Sequence, residues 1–456
     1  MKTSIIILTY NKLEYTKKCI ASIRAYTRDL DYEIIIVDNA STDETRNWLD
    51  SQEDIISILN HENVGFPKGC NQGIEIATGD NILLLNNDVV VTPNWLSNLL
   101  TALYSSQKVG AVGPVTNNAS YGQAIAVPYT DDDGIIPFAE TYNHSNASKW
   151  MKRLKLIGFC LLIKKEVVHQ IGKLDERFTP GNYEDDDYCL RIIKQGYELL
   201  LCQDTFIHHY GSVSFSNKPA EFYRLLINNH TKFKEKWHLD PILDYDVKYG
   251  LIGMLQQTIS KSSFKLLMIG GHCGGTAIEL LNLYPESQIH CIEANPHAAL
   301  VCSHFVNVIS MDLKDIDQLG KNQYDYILIE ELEAITDLKQ SLPLLNQLLK
   351  LDGMLFSSLQ NKLHYKRFLE LLGKVSVNSY ETLLVPSYQV SYHLTELNDL
   401  FLMTSFKSPH FIGMVSPNNP IIDHGILQKL GEALGIEEAY FIPESFMLCA
   451  LNNRTT

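Results

Sequence analysis

The sequence predicts an α/β chain built from two successive sheets with crossover helices, and three observations carry that prediction. Apolar runs of strand length, each ending in polar loop residues, alternate with helical patterns from the first residues onward. A fresh series of such runs starts with KLLMIGG at Lys265, after a short segment through ISKSSF. At 456 residues, with 45 % hydrophobic and 20 % charged side chains, the chain is long enough for two or three ordinary cores and is expected to be ordered throughout.

The elements follow in order. SIIILTY reads as a strand, Leu13 to Tyr26 as a polar helix, and YEIIIVDNAS as a second strand. DIISILNHENVG and GDNILLLNNDVVV supply two more strands, with a helix from Gly69 to Ala77 between them. Ligands of parallel sheets bind at the carboxyl ends of the strands, and Thr9, Asp38 and Asp88 each lie at such an end. Residues 116–150 are rich in Asn, Asp and Ser, are interrupted by Pro128 and Pro137, and read as a long surface excursion, an acceptor-side flap. KLIGFCLLIKKEVVHQIG returns to strand and helix. GNYEDDDYCLR then places Glu184, Asp185, Asp186 and Asp187 where a loop enters a helix. LLCQDTFIHHYGSVSF adds a strand, and Glu221 to Trp237 a helix that packs on the sheet, with no cofactor role for Trp237. SQIHCIEAN, YDYILIE and GMLFSSL give the later sheet its further strands, with Leu342 to Leu349 on a crossover helix. The expected domains are 1–250 and 263–456, joined by 251–262.

Composition excludes several classes. Acids outnumber Lys and Arg by 53 to 38, a formal charge of −15, which argues against a nucleic-acid binder or a general binder of anionic membranes. The apolar run Ser4 to Thr9 is too short for a signal-peptide core, and no apolar stretch of 18 residues follows. The expectation is a cytoplasmic protein, at most peripheral to the inner face of a membrane. Nine cysteines, odd in number and widely spaced, agree with a reducing compartment and form no repeated zinc spacing.

Acids at two strand ends plus an acidic cluster suit a phosphorylated substrate, because a diphosphate needs a cation and hard divalent cations prefer carboxylate oxygens. His209 can add a nitrogen ligand, which suits manganese better than magnesium; His208 beside it is the competing choice. The acidic run also fits a solvated first helical turn, where acids meet unpaired N–H groups and the positive end of the helix dipole.

IIILTYN, VDNASTD, NVGFPKGCNQGI, LLLNNDV, VGAVGP, LIGFCLLIKKEVVHQIGKLDERF and GNYEDDDYCLR occur in one order over residues 1–240. Together they resemble the family-2 nucleotide-sugar glycosyltransferases of GT-A fold, particularly the rhamnosyltransferase-like branch. The resemblance implies that Thr9 and Asp38 contact the nucleobase side and that Gly69 and Asn71 shape the nucleotide pocket. Asn86 belongs to the same nucleotide site. Asp88 becomes the diphosphate-metal ligand, with Asn86 and Asn87 where many relatives carry another acid, and His209 the second ligand of a Mn2+ or Mg2+ ion. Asp185 is implied as the general base of an inverting transfer and Glu184 as the residue orienting acceptor or loop, while Asp186 is expected to be solvated. Asp187 and Arg191, four residues apart on one helix face, are expected to pair. The donor would be a deoxythymidine- or uridine-diphosphate sugar. The acceptor would be a glycan, a lipid-linked glycan or a protein in bacterial surface glycan synthesis.

MIGGHCGGTAIEL, CIEANPHAA, YDYILIEELEAITD, LDGMLFSSLQNKLHY and ESFMLCA, within residues 263–452, resemble the class I S-adenosylmethionine-dependent methyltransferases. Gly270, Gly274 and Glu293 are then the cofactor-site candidates. The second domain is thus expected to be Rossmann-like and of methyltransferase type. His272 stands where the usual loop has glycine, and Ala334 where a related segment often has histidine. S-adenosylmethionine is therefore not the favoured ligand, and a scaffold that positions an acceptor, a second copy of the chain or another assembly partner is preferred. A bifunctional glycosyltransferase and methyltransferase, and a non-catalytic glycan-binding or assembly protein, are the alternatives.

Overall fold

The structure is a computed structural model that describes residues 1–211, 219–360, 394–414, 443 and 445–453. The chain divides into two units, Met1–Pro241 and Ile242–Thr456.

In the first unit the uninterrupted isoleucine run becomes β1 (Thr3–Thr9), an interior strand whose Ile5, Ile6 and Ile7 are fully buried. Helix α1 (Leu13–Tyr26) leads to β2 (Tyr32–Asp38), α2 (Thr45–Asp50) to β3 (Ile55–Leu59), and α3 (Phe66–Ile76) to β4 (Asn81–Asn86). These four strands are parallel in the order β3-β2-β1-β4. There follow β5 (Val89–Val90), α4 (Trp95–Leu103), β6 (Val109–Val115), α5 (Ile135–Tyr142), β7 (Trp150–Arg153), β8 (Cys160–Lys164) and α6 (Lys165–Ile171). Next come α7 (Glu184–Lys194), β9 (Glu198–Phe206), β10 (His208–His209) and α8 (Pro219–Trp237). The described sheet continues β4-β8-β6-β9-β7, with β8 antiparallel to both neighbours. Each large aliphatic side chain fully buried in this core contributes about 1.5–3 kcal/mol.

Three local features depart from the sequence reading. Helix α3 starts at Phe66, ahead of Gly69, because Gly65 (φ 84°, ψ 173°) turns the chain in a region open to glycine alone and Pro67 fits the first turn, where its missing N–H costs nothing. The stretch ILLLNNDVVV is not one strand. It breaks at Asn87–Asp88, and β5 leaves the main sheet to pair antiparallel with β10, Val89 opposite His209. The excursion over 116–150 holds α5, whose Ile135 and Ala139 are buried. Two turns with two core residues are too short to show a helical period.

In the second unit α9 (Tyr249–Thr258) precedes β11 (Lys265–Ile269), α10 (Gly275–Leu283), β12 (Gln288–Ile292), α11 (Pro296–Cys302) and β13 (Asn307–Val308). Then come β14 (Tyr324–Ile329), α12 (Leu338–Leu348), β15 (Leu349–Gln360), α13 (Leu394–Met403), β16 (Phe406–Met414) and β17 (Ser445–Asn452). The described strands lie in the order β13-β12-β11-β14-β15-β17-β16, parallel through β15, with β17 antiparallel to both neighbours. Leu267 and Ile269 of β11 pack in one core and Leu266 and Met268 in another, so the sheet is covered on both faces and the unit is Rossmann-like. Leu251, Ile252 and Leu255 of α9 belong to that second core, and the division of the chain falls ahead of the junction read from the sequence. Residues 212–215 of HYGSVSF, the NKLHY end of LDGMLFSSLQNKLHY and Glu444 of ESFMLCA lie outside the described residues. No described helix is long and apolar enough to cross a membrane.

Candidate functional site

A cavity of about 490 Å³ opens at the carboxyl ends of β1 and β4, lined among others by Thr9, Asn39, Gly65, Asn86, Asp88 and His209. Strand register puts Thr9 beside Asp38 and Leu8 beside Asn86, so residues far apart in sequence meet at one sheet edge. Thr9 Oγ1 lies 3.1 Å from Thr16 Oγ1, and Asn87 Nδ2 donates to the latter at 3.0 Å, which fixes the turn carrying Asp88 over β1.

The β5–β10 pair brings His209 Nε2 to 3.3 Å from Asp88 Oδ1. His209 Nδ1 lies 2.9 Å from the Asn118 carbonyl oxygen, so that nitrogen carries the proton and Nε2 turns its lone pair toward Asp88. Nε2 is buried without a hydrogen-bond partner among the described residues. A lone pair and a carboxylate at this separation repel unless a proton or a cation joins them, and the pair fits a divalent cation. Burial lowers the His209 pKa, but Asp88 and the Asn118 carbonyl outweigh it and hold the pKa above the ordinary value. Asn117 clamps the His209 backbone in both directions, at 2.9 and 3.1 Å, and Phe159 stacks on the imidazole at 5.1 Å. Among the described residues no three His, Cys, Asp or Glu gather as a metal cluster; with Asp88 and His209 in place, substrate phosphate and water would complete a coordination shell.

The acidic run opens α7 after two consecutive left-handed residues, Asn182 (φ 71°) and Tyr183 (φ 72°). Buried Asn229 of α8 holds this strained loop, its Nδ2 donating to the carbonyls of Phe178, Gly181 and Asn182 at 2.7–3.2 Å. Asp185 accepts from the Gly158 N–H at 3.0 Å through Oδ2 and from the Asp186 N–H at 2.9 Å through Oδ1. It does not line the cavity; the segment Gly158–Phe159 links it to the His209 ring. Glu184 is buried, and burial, then Asp185, raise its carboxyl well above the usual range. Asp187 pairs with Arg191 at 2.9 Å, as the spacing implied, and also accepts from Trp237 Nε1 at 2.8 Å and from Lys236. Asp186 is not solvated: it is 1 % exposed and bonded to Lys155 Nζ at 2.6 Å. Burial raises its carboxyl to about 7 against the pull of Lys155.

Three residues expected at the nucleotide lie behind the cavity wall. Asp38 is fully buried, bonded to Arg46 Nε at 2.8 Å and to the Ser41 N–H, with Oδ1 unpartnered among the described residues. Gly69 packs α3 on β1, where any Cβ would run into Leu8. Asn71 spends its amide on the Leu174 backbone and Glu176, at 2.9–3.0 Å. Sequence reasoning missed Arg46, Asn117, Asn118, Lys155, Phe159 and Asn229. Only Arg46, on the first helix after Asp38, carries a local signal.

In the second unit a cavity of about 630 Å³ is lined by Gly270, His272, Glu293 and Ala334, while Gly274 caps α10 with φ 94° and faces Cys302. Glu293 accepts from the His272 N–H at 2.8 Å and the Asn295 N–H at 2.7 Å. His272 is itself left-handed (φ 49°), and its Nδ1 lies 3.0 Å from Asp244 Oδ1. Burial lowers its pKa, but the Asp244 bond, Glu330 and Glu293 outweigh it and raise the pKa to about 9. A raised histidine stabilises the fold fully below its unfolded value near 6.5 and loses that contribution as pH rises through about 9. Thermal unfolding between pH 6.5 and 9 should therefore show a loss of up to about 3 kcal/mol that His272→Gln removes.

Residues 4–172 match the family model described as glycosyl transferase family 2. The chain carries an N-terminal domain of that family. Over 232 residues, 47 % of the chain, it is 26 % identical to the O-antigen biosynthesis protein RfbC of Myxococcus xanthus, covering 18 % of that protein. Over 213 residues, 44 % of the chain, it is 27 % identical to the low-salt glycan biosynthesis hexosyltransferase Agl10 of Haloferax volcanii, covering 64 % of it. The chain spans less than two thirds of the length of the first curated relatives it matches. Among solved structures, a Pyrobaculum calidifontis mannosyltransferase in complex with GDP-Man and Mn2+ aligns at TM-score 0.38 and 19 % identity, over 51 % of this chain and 64 % of that one. An Archaeoglobus fulgidus SAM-dependent methyltransferase aligns at TM-score 0.35 and 14 % identity, over 49 % of this chain and 99 % of that one.

Proposed function

We propose that the first unit is a GT-A glycosyltransferase of the rhamnosyltransferase-like branch, transferring a sugar from a nucleoside-diphosphate donor to a hydroxyl acceptor with inversion. The observation that carries this is the Asp88–His209 pair in a cavity at the sheet edge, linked by Gly158–Phe159 to the Asp185 carboxylate. Thr9, Asn86 and the buried Asp38 serve the nucleotide side. Asp185 takes the acceptor proton as the hydroxyl oxygen bonds to the anomeric carbon, and the electrons of the breaking bond pass to the departing diphosphate. Glu184, whose carboxyl is raised by burial, orients the acceptor or the loop beside Asp185. A Mn2+ or Mg2+ ion, when bound by Asp88 and His209, offsets the charge developing on the diphosphate. The donor is a deoxythymidine- or uridine-diphosphate sugar. The acceptor is a glycan, lipid-linked or protein-linked, of the bacterial surface, and the reaction takes place in the cytoplasm or at the inner face of the membrane. Titrating a panel of nucleotide sugars, then following hydrolysis of the tightest with and without manganese, tests this. Binding of none of them would overturn it.

Among the described strands of the second unit one, β17, runs antiparallel to its neighbours, an order that suits a class I methyltransferase, and the cavity beside Gly270 and Glu293 is large enough for a nucleoside cofactor. That favours a bifunctional enzyme as the second reading. The scaffold reading remains the preferred one, because His272 puts a side chain into the cavity at a left-handed turn position where the usual loop has glycine and a cofactor could approach the backbone closely. Calorimetric titration of the full chain with S-adenosylmethionine and S-adenosylhomocysteine is expected to give weak or absent binding. Low-micromolar binding abolished by Glu293→Ala would replace the scaffold with the bifunctional enzyme.

A further inference from the structure

Lys155 lies between β7 and β8, at the head of the KLIGFC run and with no role in the site as read from the sequence, yet its side chain is 9 % exposed and reaches the acidic turn of α7. Its Nζ is 2.6 Å from Asp186 Oδ2 and 4.0 Å from Asp185 Oδ1, and it stands over the Tyr121 ring, 4.3 Å from the centroid. Glu184, Asp185 and Asp186 converge in this buried space. Asp185 accepts hydrogen bonds from the backbone N–H groups of Gly158 and Asp186. Three acids beside one cation cannot all ionise, since like charges in a poorly solvated site disfavour each other. Glu184 and Asp186 are the more deeply buried of the three (7 % and 1 % exposed), and burial raises both of their carboxyls, whereas the Asp185 side chain is 15 % exposed and lies 4.0 Å from the ammonium.

We propose that Lys155 is a positioning residue of the transfer reaction: from its buried seat on Asp186 it keeps Asp185 ionised and fixed, ready to accept the acceptor's proton. This deepens the reading of Asp185 as the base and rests on it. The titratable groups around Asp185 are Lys155 and Tyr121 from the preceding segments, Glu184, Asp186 and Cys189 from its own helix, and Cys70 of α3 behind Glu184. Lys155 is the cation of the set. The Lys155 ammonium is itself held in its charged form by Asp185 and Asp186 against the cost of burial.

The test is the pH dependence of nucleoside-diphosphate release by the full-length chain, with whichever uridine- or deoxythymidine-diphosphate sugar it turns over. Lys155→Gln keeps a donor for Asp186 but removes the charge. It is expected to move the acidic limb of kcat upward by about 1–2 pH units, to lower kcat at neutral pH at least about tenfold, and to recover toward wild type at higher pH. KM for the donor should stay within about twofold, and Lys155→Arg should restore the limb. A wild-type limb in Lys155→Gln, or a change in KM alone, overturns the proposal. Should Lys155→Gln not fold, Lys155→Met decides: it removes the same charge with an apolar chain of similar length, the limb is again expected to rise, and an unmoved limb overturns the proposal. Asp185→Asn run in parallel separates the two readings, since full activity there removes the base assignment whatever Lys155 does.

Discussion

Asp185→Asn is expected to lower turnover by about 10²–10⁴-fold while leaving donor affinity within about twofold of wild type. The size follows from the role. A neutral sugar hydroxyl is a poor nucleophile until a positioned carboxylate removes its proton, and an amide of the same shape cannot. The selectivity follows from the geometry. Asp185 does not line the cavity that holds Thr9, Asn86 and Asp88, so the nucleotide side is untouched by the substitution. The fold should survive, because the asparagine carbonyl can still accept from the Gly158 N–H and Lys155 keeps its bond to Asp186; what is lost is the bond from the Asp186 N–H, at about 1 kcal/mol, and the 4.0 Å ion pair with Lys155. Steady-state kinetics, donor titration and a melting curve on one preparation check all three statements. Full turnover by a folded Asp185→Asn protein would remove this residue as the base.

Asp88→Ala is expected to act on the opposite side of the reaction. Its backbone carbonyl, which accepts from the Tyr210 N–H at 3.0 Å, is unchanged by the substitution, so β5 and β10 should remain paired. What disappears is the carboxylate facing the His209 lone pair, and with it the site's negative charge. A cation clamping a diphosphate is worth several kcal/mol, so donor affinity in manganese should fall on the order of 10²–10³-fold. Affinity measured in a chelator should barely change. The diagnostic outcome is the loss of any difference between manganese and chelator, read by titration calorimetry.

The two substitutions also mark how far the sequence alone could reach. β1, β2 and β4 are buried on both faces, so their uninterrupted apolar runs, and the polar residues that end them, were visible before any fold was known. The bounds of α1 and the Asp187–Arg191 pair follow from spacing along one helix and are found as read. The break after Asn86 was hidden, because the β5–β10 pairing depends on two valines and two histidines more than a hundred residues apart. Gly69 and Asn71 show a different limit. They belong to a motif that resembles a nucleotide-binding segment, yet one packs a helix on a strand and the other ties that helix to the loop at Leu174. Asp186 was misread for a related reason: its partner Lys155 is 31 positions away, and an acid in a first helical turn ordinarily faces water. Asn229, buried on α8, likewise holds its loop across 47 to 51 positions.

Single displacement ties these residues together, and the configuration of the transferred sugar reports on it directly. The donor that the chain turns over would be followed by proton NMR from mixing, resolving the anomeric signal of the first-formed product before mutarotation or a second turnover obscures it. The account predicts a product of inverted anomeric configuration, formed by wild type and lost in Asp185→Asn. A product that keeps the donor's configuration would contradict it, because a single attack from the face opposite the departing diphosphate must invert the anomeric carbon.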